Sequence, residues 1–439
     1  MEKLSDNSTK PLNISPGSTL NFNCEISGTN VRWESITLAL IAAGRATTDI
    51  PFFPPLYTSR LELRTLQRAI TELSDRCLEI MLGLDSLNDI QLICQYENFI
   101  LHSVMDGDQS YSAWRRLGDV IGSLLFLGLH ERIADMPMIP GFLAELRRSI
   151  FAQIYSDDKN MAVFLGRPPR LSRKFCCFQL SDNNRDTHTR NPPRPPMAAL
   201  DHTFFGSNDR IDQVTGLRWT ACRASLKEEI MEVLHEHGGQ SAERVLRFDA
   251  IYACAQSLWR SLPGHLRLER TLFLHRDRSP FENDFLLNTR LTYIQTLFLL
   301  RNSVANHENA VFAETEVELL RIPQEMLSLT VEAIILRDHL VNSGTSLLWK
   351  VAHYGPPAAG VIYISMLRPT FWQPREDLCI PKMLQDLGVF ASEIGLGGLL
   401  QEEAPNYDLV SRAANTIQRR ISAALSCGGA FTDLRVASE

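Results

Sequence analysis

Apolar residues recur at spacings of three and four along most of the chain, and this pattern predicts helices. The clearest case is the stretch 111–170, which reads as two helical segments joined by a short loop. Gly166 stands where a glycine commonly ends a helix, and Pro168-Pro169 prevent its continuation. The apolar positions of the two segments are Leu117, Val120, Ile121, Leu124, Leu125, Leu129, Leu143, Leu146, Ile150, Ile154, Met161 and Leu165.

The rest of the chain also favours helices, and alternating, strand-like patterns are scarce. The stretch 31–44 reads as a helix that Gly44 closes. Tyr354 to Gly360 reads as a rigid turn into a helix, with small residues that allow close packing. The sequence therefore predicts an all-α fold, a large multi-helix body with irregular connecting loops. Further helices are predicted over 60–83, 88–105, 217–236, 243–262, 281–306, 324–342, 345–353, 358–368, 382–396 and 407–426.

Composition divides the chain into a tail and a body. Residues 1–30 are rich in Ser, Thr, Asn and Gly, which predicts a polar flexible tail. Residues 31–439 are expected to form one all-α body, with its core over about 31–425. Within it, the loop 167–194 differs in being basic and rich in proline.

Charge and hydropathy argue against two classes of protein. The formal net charge is −7, whereas a compact nucleic-acid-binding domain is usually basic. No apolar run approaches the roughly 18 residues that span a bilayer, and the first residues lack the apolar core of a signal peptide. We therefore expect no membrane partner.

The nine cysteines are scattered and form no C-x-x-C pair. A zinc cluster needs close pairs, because each short turn presents two thiolates to one ion. Cys176 and Cys177 are adjacent, which does not suit ligation of one ion from regular structure. The spacing instead predicts reduced, mostly buried thiols and no metal site in this chain.

A set of short motifs resembles the middle homology region of the fungal zinc-cluster transcription factors. Their order and spacing carry the resemblance, which covers roughly residues 31–425. One departure is large, since the six-cysteine module that binds two zinc ions in this family is missing here. The matching motifs are Val31-Arg32-Trp33-Glu34, Trp114-Arg115-Arg116-Leu117-Gly118, Leu127-Gly128-Leu129-His130, Arg147-Arg148, Tyr155, Asp157-Asp158-Lys159, Phe164 to Pro169, Tyr354 to Val361 and the last helix from Asn406-Tyr407 to Leu425.

The resemblance implies a regulatory domain of a transcription regulator that acts in the nucleus on RNA polymerase II genes. In full-length relatives the zinc cluster contacts DNA, and the helical region modulates activity. We therefore expect this chain to bind neither zinc nor specific DNA by itself, and to reach DNA through a missing module or a partner. The resemblance also implies protein partners, as a dimer or in the transcription machinery, and a small-molecule effector.

Two groups of charged residues are candidate sites. Arg170, Arg173 and Lys174 form the densest part of the basic loop, and suit a nuclear-import patch or a phosphate contact. A solvated connection between helices is the alternative interpretation, and it is favoured because the group lacks a contiguous basic run.

The neighbouring carboxylates Asp157 and Asp158 invite comparison with the metal sites of all-α terpenoid synthases. Those enzymes need carboxylates repeated on one helix face, and no further acid follows here at that spacing. The favoured interpretation is a structural polar network in which Asp157 or Asp158 pairs with Arg148 or Arg167. Glu145 and Arg148 are also spaced for a surface pair. The sequence predicts no catalytic residue.

Two other classes of function stay open. One is a stand-alone interaction protein that dimerises with full-length relatives and modulates them. The other is an all-α small-molecule-binding protein or enzyme that uses the helical interior.

Overall fold

The protein is described by a computed structural model over residues 1–12, 19–50, 52–132, 139–177, 205–207, 209–235, 241–269, 271–274, 278–305, 315–368, 371, 378–395, 397, 399 and 404–426. These residues form fourteen α-helices, several short 3₁₀ turns and no strand. Phe53 and Tyr57 make one isolated β-bridge. The predicted all-α fold is confirmed.

The chain divides into two compact units, Met1–Asp186 and Thr187–Glu439, rather than the single body expected from the sequence. The first unit contains α1 (Glu2–Thr9), α2 (Thr19–Glu25), α3 (Trp33–Asp49), α4 (Arg60–Gly83), α5 (Asp89–Asp106), α6 (Tyr111–Phe126) and α7 (Gly141–Leu165). The second contains α8 (Gln213–His235), α9 (Ser241–Ser261), α10 (Pro280–Ala305), α11 (Thr315–Ile335), α12 (Leu347–Met366), α13 (Ile380–Gly395) and α14 (Tyr407–Ser426).

Helix ends follow local signals in the central pair. After α6, Gly128 adopts a φ of 72°, and the N–H of Leu129 donates to the carbonyl of Leu124 at 3.1 Å. After α7, Gly166 adopts a φ of 62°. An L side chain is strained at such angles, so glycine suits both stops. The predicted end at Gly166 is confirmed.

Gly44 has a different role from the one predicted, because α3 continues beyond it to Asp49. A Cβ at this position would lie 3.1 Å from atoms of both Ile70 and Leu101. The glycine therefore allows α3 to pack closely on α4 and α5. The prediction that Gly44 closes the helix is wrong, because the glycine is needed for close helix packing and not to end the helix.

The first thirty residues, where described, are folded rather than forming the predicted flexible tail. The Ser8 hydroxyl donates to Glu34 at 2.6 Å, and Arg32 donates to the carbonyl of Ser8 at 2.7 Å. The Trp33 indole donates to Ser5 at 3.1 Å. The polar composition predicted a flexible tail, but four apolar residues of this segment pack on the core of the first unit. They are Leu4, Leu12, Phe22 and Ile26.

The predicted turn at Pro356-Pro357 is instead the interior of α12. Tyr354 and Ala358 on either side are fully buried, so tertiary packing keeps the helix continuous despite the missing N–H groups. Gly355 lies against Phe390 of α13, where an added Cβ would come within 2.3 Å of the ring. Small residues here allow α12 and α13 to approach.

The other long helices match their predicted positions closely, with one further difference. The helix expected over 324–342 is α11, Thr315–Ile335, and it contains Pro323 rather than starting after it. In the second unit α11 packs along α12, α13 along α14, and α10 against α8, α9 and α11.

Candidate functional site

Asp158 and Lys159 on α7 form a buried ion pair in the first unit. Lys159 Nζ lies 2.8 Å from Asp158 Oδ2, and the two side chains are 0% and 1% exposed. Asp158 also accepts the backbone N–H groups of Arg170 and Leu171 at 3.0 and 2.9 Å, and Lys159 donates to the carbonyl of Leu171. The pair therefore fixes the loop after α7 to the helix, and Asp158 is not presented to a metal ion.

Arg170 attaches the same loop to α6. Its guanidinium lies 3.5 Å from the centroid of the Trp114 ring and donates to the Trp114 carbonyl at 2.7 Å. A Cβ on Gly118 would lie 3.2 Å from Arg170 Nη1, so the glycine leaves room for this stack. We call Trp114, Gly118, Asp158, Lys159 and Arg170 the Asp158 junction.

The predicted polar network forms with other partners. Asp157 accepts the Tyr96 hydroxyl at 2.7 Å, and burial raises the pKa of the Asp157 carboxyl to about 6. Arg148 pairs with Glu145 at 3.2 Å, which confirms that surface pair. Arg167 is exposed. Arg148 and Arg167 are therefore not the partners of the two aspartates, because Lys159, Tyr96 and backbone N–H groups occupy them.

The basic patch is also divided by the structure. Arg170 belongs to the Asp158 junction and is half-buried, so it is not part of an open cationic surface. Burial lowers the pKa of its guanidinium. Arg173 is half-buried and Lys174 is exposed, and their use in nuclear import stays a prediction. Most of the basic loop, residues 178–194, lies outside the described residues.

His102 of α5 lies between two carboxylates. Its Nε2 is 3.0 Å from Asp75 Oδ1 on α4, and its Nδ1 is 2.5 Å from Asp106 Oδ2. Arg116 of α6 pairs with Asp75 at 2.8 Å and donates to Asn98 at 2.7 Å. Burial acts to lower the pKa of His102, but the two carboxylates outweigh it and the pKa is raised. This cluster ties three helices together.

Lys350 of α12 and Asp284 of α10 form the corresponding pair in the second unit. Their charged atoms lie 2.8 Å apart, at 1% and 3% side-chain exposure. Asp284 also accepts the backbone N–H and the hydroxyl of Ser343, at 2.9 and 2.7 Å. Here too a buried pair fixes a loop to a helix.

Arg223 of α8 has a different environment. The residue is 1% exposed, and its three guanidinium nitrogens have no hydrogen-bond partner in the described part of the chain. Its guanidinium lies 5.2 Å from the Trp219 ring centroid and 5.6 Å from that of Tyr293. Trp259 stacks on Tyr293 at 4.7 Å. We call Arg223, Trp219, Tyr293 and Trp259 the Arg223 cluster.

Sequence reasoning missed the Arg223 cluster, although α8 carries a signal. Trp219 and Arg223 are four residues apart, the spacing that places a cation over a ring on one helix face. The helix also has charged residues on every side, yet most of them are buried, among them Arg218, Lys227 and Glu228. A helix that is polar all round is easily interpreted as solvated. The sequence pattern alone therefore does not reveal that the charges of α8 are buried.

The described residues contain neither a metal-ligand cluster nor a membrane-spanning helix. No group of three or more His, Cys, Asp or Glu is placed to hold a metal ion there. Of the eight described cysteines, Cys77, Cys94, Cys176 and Cys222 are buried, and none forms a disulfide. Within the same ranges no helix has the length and apolar character needed to cross a membrane.

Comparisons with protein-family models, with curated proteins and with solved structures found no match for this chain. The family resemblance therefore rests on the motif residues alone.

Proposed function

We propose that this chain is the regulatory part of a transcription regulator related to the fungal zinc-cluster family. It acts in the nucleus on RNA polymerase II genes and reaches DNA through another module or a partner. Its helical units respond to a small-molecule effector or a protein partner. The role is non-catalytic.

The observation that carries this proposal is that residues from separate motifs pack around the same loop residue. Trp114 and Gly118 come from one motif and Asp158 from another, and all three lie against Arg170 in the Asp158 junction. A chance match between short motifs gives no reason for the matched residues to depend on each other. Their contacts with the same residue, Arg170, support the family resemblance.

Other motif residues have equally specific contacts. Arg116 joins the His102 cluster. Arg147 binds Asp89 at the start of α5 through two hydrogen bonds of 2.7 and 2.9 Å. Arg32 and Glu34 form a buried pair at 3.2 Å that holds α1. The signature is thus the framework of a helical domain, which suits a regulatory rather than a catalytic role.

A genomic experiment tests the proposal. The chain is tagged at its own locus and followed by microscopy and by chromatin crosslinking, and transcripts are compared with and without the gene. We expect nuclear enrichment, crosslinking at promoters and a coherent set of changed transcripts. A chain confined to the cytoplasm, with unchanged transcripts after deletion, would contradict the proposal.

A stand-alone partner of full-length relatives is the second candidate. Phe126 at the end of α6 is 81% exposed, and with Leu125 it lines a shallow cleft of about 440 Å³. An exposed aromatic beside a cleft is a common feature of protein contacts. We expect the tagged chain to co-purify with a zinc-cluster protein, and Phe126→Ser to weaken that association while Phe175→Ser, at an equally exposed phenylalanine, does not. A strictly monomeric chain would rule this candidate out.

A further inference from the structure

Arg223 differs from the other fully buried Lys and Arg side chains of the described residues. Each of the others has an oxygen atom of a partner side chain within hydrogen-bond distance, whereas the Arg223 guanidinium has none there. The pairs are Arg32–Glu34 at 3.2 Å, Lys159–Asp158 at 2.8 Å, Arg218–Asp209 at 3.1 Å, Lys227–Gln295 at 2.6 Å and Lys350–Asp284 at 2.8 Å.

Among the described residues, no group that influences the pKa of Arg223 supplies a negative charge at neutral pH. The titratable groups that influence its pKa are Tyr293, Cys222 and Cys254. Burial raises the pKa of Cys222 to about 12 and also raises that of Tyr293, so both are neutral at neutral pH. Burial lowers the pKa of Arg223 to about 10, which leaves it charged.

The aromatic rings compensate the charge only in part. The faces of Trp219 and Tyr293 attract the cation, but a ring face does not replace the oxygen acceptors that five N–H groups require. The Trp219 indole N–H itself is satisfied by Thr292 at 2.9 Å. The N–H groups of the Arg223 guanidinium therefore remain available to donate hydrogen bonds to a ligand.

We propose that Arg223 is the recognition group of a binding site for a small carboxylate, which acts as the effector of the regulatory chain. This assignment rests on the proposed function. A carboxylate presents two oxygens that match two parallel N–H donors of a guanidinium. It also carries one negative charge, which balances the single unpaired positive charge.

A dianion such as phosphate fits the site less well, because the described residues around Arg223 place no second unpaired cation beside it. Arg290 lies over the same ring of Tyr293, at 5.5 Å, but it is bound to Glu325. The ring faces suit a ligand with a planar or apolar body attached to its carboxylate. Trp259 is partly exposed and stacks on Tyr293, whose ring centroid lies 5.6 Å from the Arg223 guanidinium.

The test uses purified full-length chain and two matched variants. Arg223→Met removes the unpaired charge, and Arg290→Met removes a paired arginine over the same ring. The probes are monocarboxylates from acetate to phenylacetate, with phenylacetamide as the uncharged analogue and inorganic phosphate as the dianion. Titration calorimetry gives affinities, and thermal unfolding gives Tm with and without probe.

We expect a monocarboxylate to bind the wild type and Arg290→Met, and Arg223→Met to lose at least about thirtyfold in affinity. Phenylacetamide and phosphate bind more weakly than the carboxylate. Without probe, Arg223→Met has a higher Tm than the wild type, because it removes an uncompensated buried charge.

Three results would overturn the site: no monocarboxylate binds the wild type, Arg223→Met binds as well as the wild type, or Arg223→Met lowers Tm or fails to fold. The last would make Arg223 a structural residue. None of these results bears on nuclear enrichment or transcript changes, so a failed site and a failed regulatory function are distinguishable.

Discussion

Lys159 in the first unit and Arg223 in the second are equally buried, but their bonding differs. Lys159 has Asp158 and a backbone carbonyl as partners, and Asp158 in turn holds two backbone N–H groups. In the part of the chain that the structure describes, the Arg223 guanidinium faces only aromatic rings. Taking an ion out of water costs several kcal/mol unless partners compensate it.

The difference separates two uses of a buried charge. The Asp158 junction stabilises a fixed loop, and four of its five residues belong to the motifs noted in the sequence. The Arg223 cluster keeps hydrogen-bonding capacity that the described residues do not use, and we propose that a ligand uses it. The first is expected to be sensitive to loss of any member, and the second to gain stability when its charge is removed.

The largest effect is expected from Asp158→Ala. The change leaves the Lys159 charge and the N–H groups of Arg170 and Leu171 without their acceptor. We expect the free energy of unfolding to fall by about 3–5 kcal/mol, measured by urea denaturation. Asp157→Ala is the control, since Asp157 accepts a hydrogen bond from Tyr96, and its loss is expected to be about 1–2 kcal/mol. Equal losses would show that Lys159 does not depend on Asp158.

A double mutant of Asp284 and Lys350, the buried pair of the second unit, extends the comparison. Asp284→Leu alone leaves the buried Lys350 charge uncompensated. We expect the double variant Asp284→Leu with Lys350→Met to be at least about 2 kcal/mol more stable than this single variant. Denaturant unfolding of the wild type, the two single variants and the double variant measures the coupling energy between the two side chains. Purely additive losses would mean that the two side chains act independently.

A smaller effect is expected at Gly118, where the Arg170 stack needs space. Gly118→Ala places a Cβ 3.2 Å from the guanidinium, and we expect a loss of about 1 kcal/mol. Gly122 lies one turn later on the same helix, and a Cβ there meets nothing within 4 Å. Gly122→Ala should therefore stabilise by about 0.5–1 kcal/mol. Thermal unfolding of both variants distinguishes the effect of close packing from that of helix propensity. A higher Tm for both variants would show that the stack of Arg170 on Trp114 does not depend on the space at Gly118.

The smallest effect concerns pH and His102. Its pKa in the fold is raised above the ordinary 6.5, so its charged form contributes stability that is complete below 6.5 and is lost as the pH rises through the raised value. We expect the wild type to exceed His102→Gln most in stability under mildly acidic conditions, and the difference to shrink toward alkaline pH. A difference that grows with pH would mean that His102 is neutral in the fold.

Helix positions were largely predictable from the sequence because apolar periodicity and glycine stops are local signals. α4 begins and ends where the pattern placed it, and Gly166 stops α7 as predicted. The errors arose where tertiary contacts override local preference. Gly44 serves close packing rather than ending α3, and Pro356-Pro357 lie within a helix that its buried neighbours hold together.

The candidate sites were less predictable because bonding partners depend on the fold. The motif around Asp158 pointed to a structural role, but its partner, Lys159, is the adjacent residue rather than an arginine. The Arg223 cluster combines residues of α8, α9 and α10, so its aromatic and cationic members are up to 74 positions apart in sequence. Only the Trp219–Arg223 spacing is visible within one helix.

The most direct test of the central claim joins residues 1–439 to an unrelated DNA-binding domain in a fungal reporter strain. The regulatory account predicts that the fusion changes reporter output relative to the DNA-binding domain alone. It also predicts that Arg223→Met alters the response to growth conditions whereas Arg290→Met does not. If the wild-type fusion is stable and nuclear but gives the output of the DNA-binding domain alone under every condition, the regulatory account is contradicted.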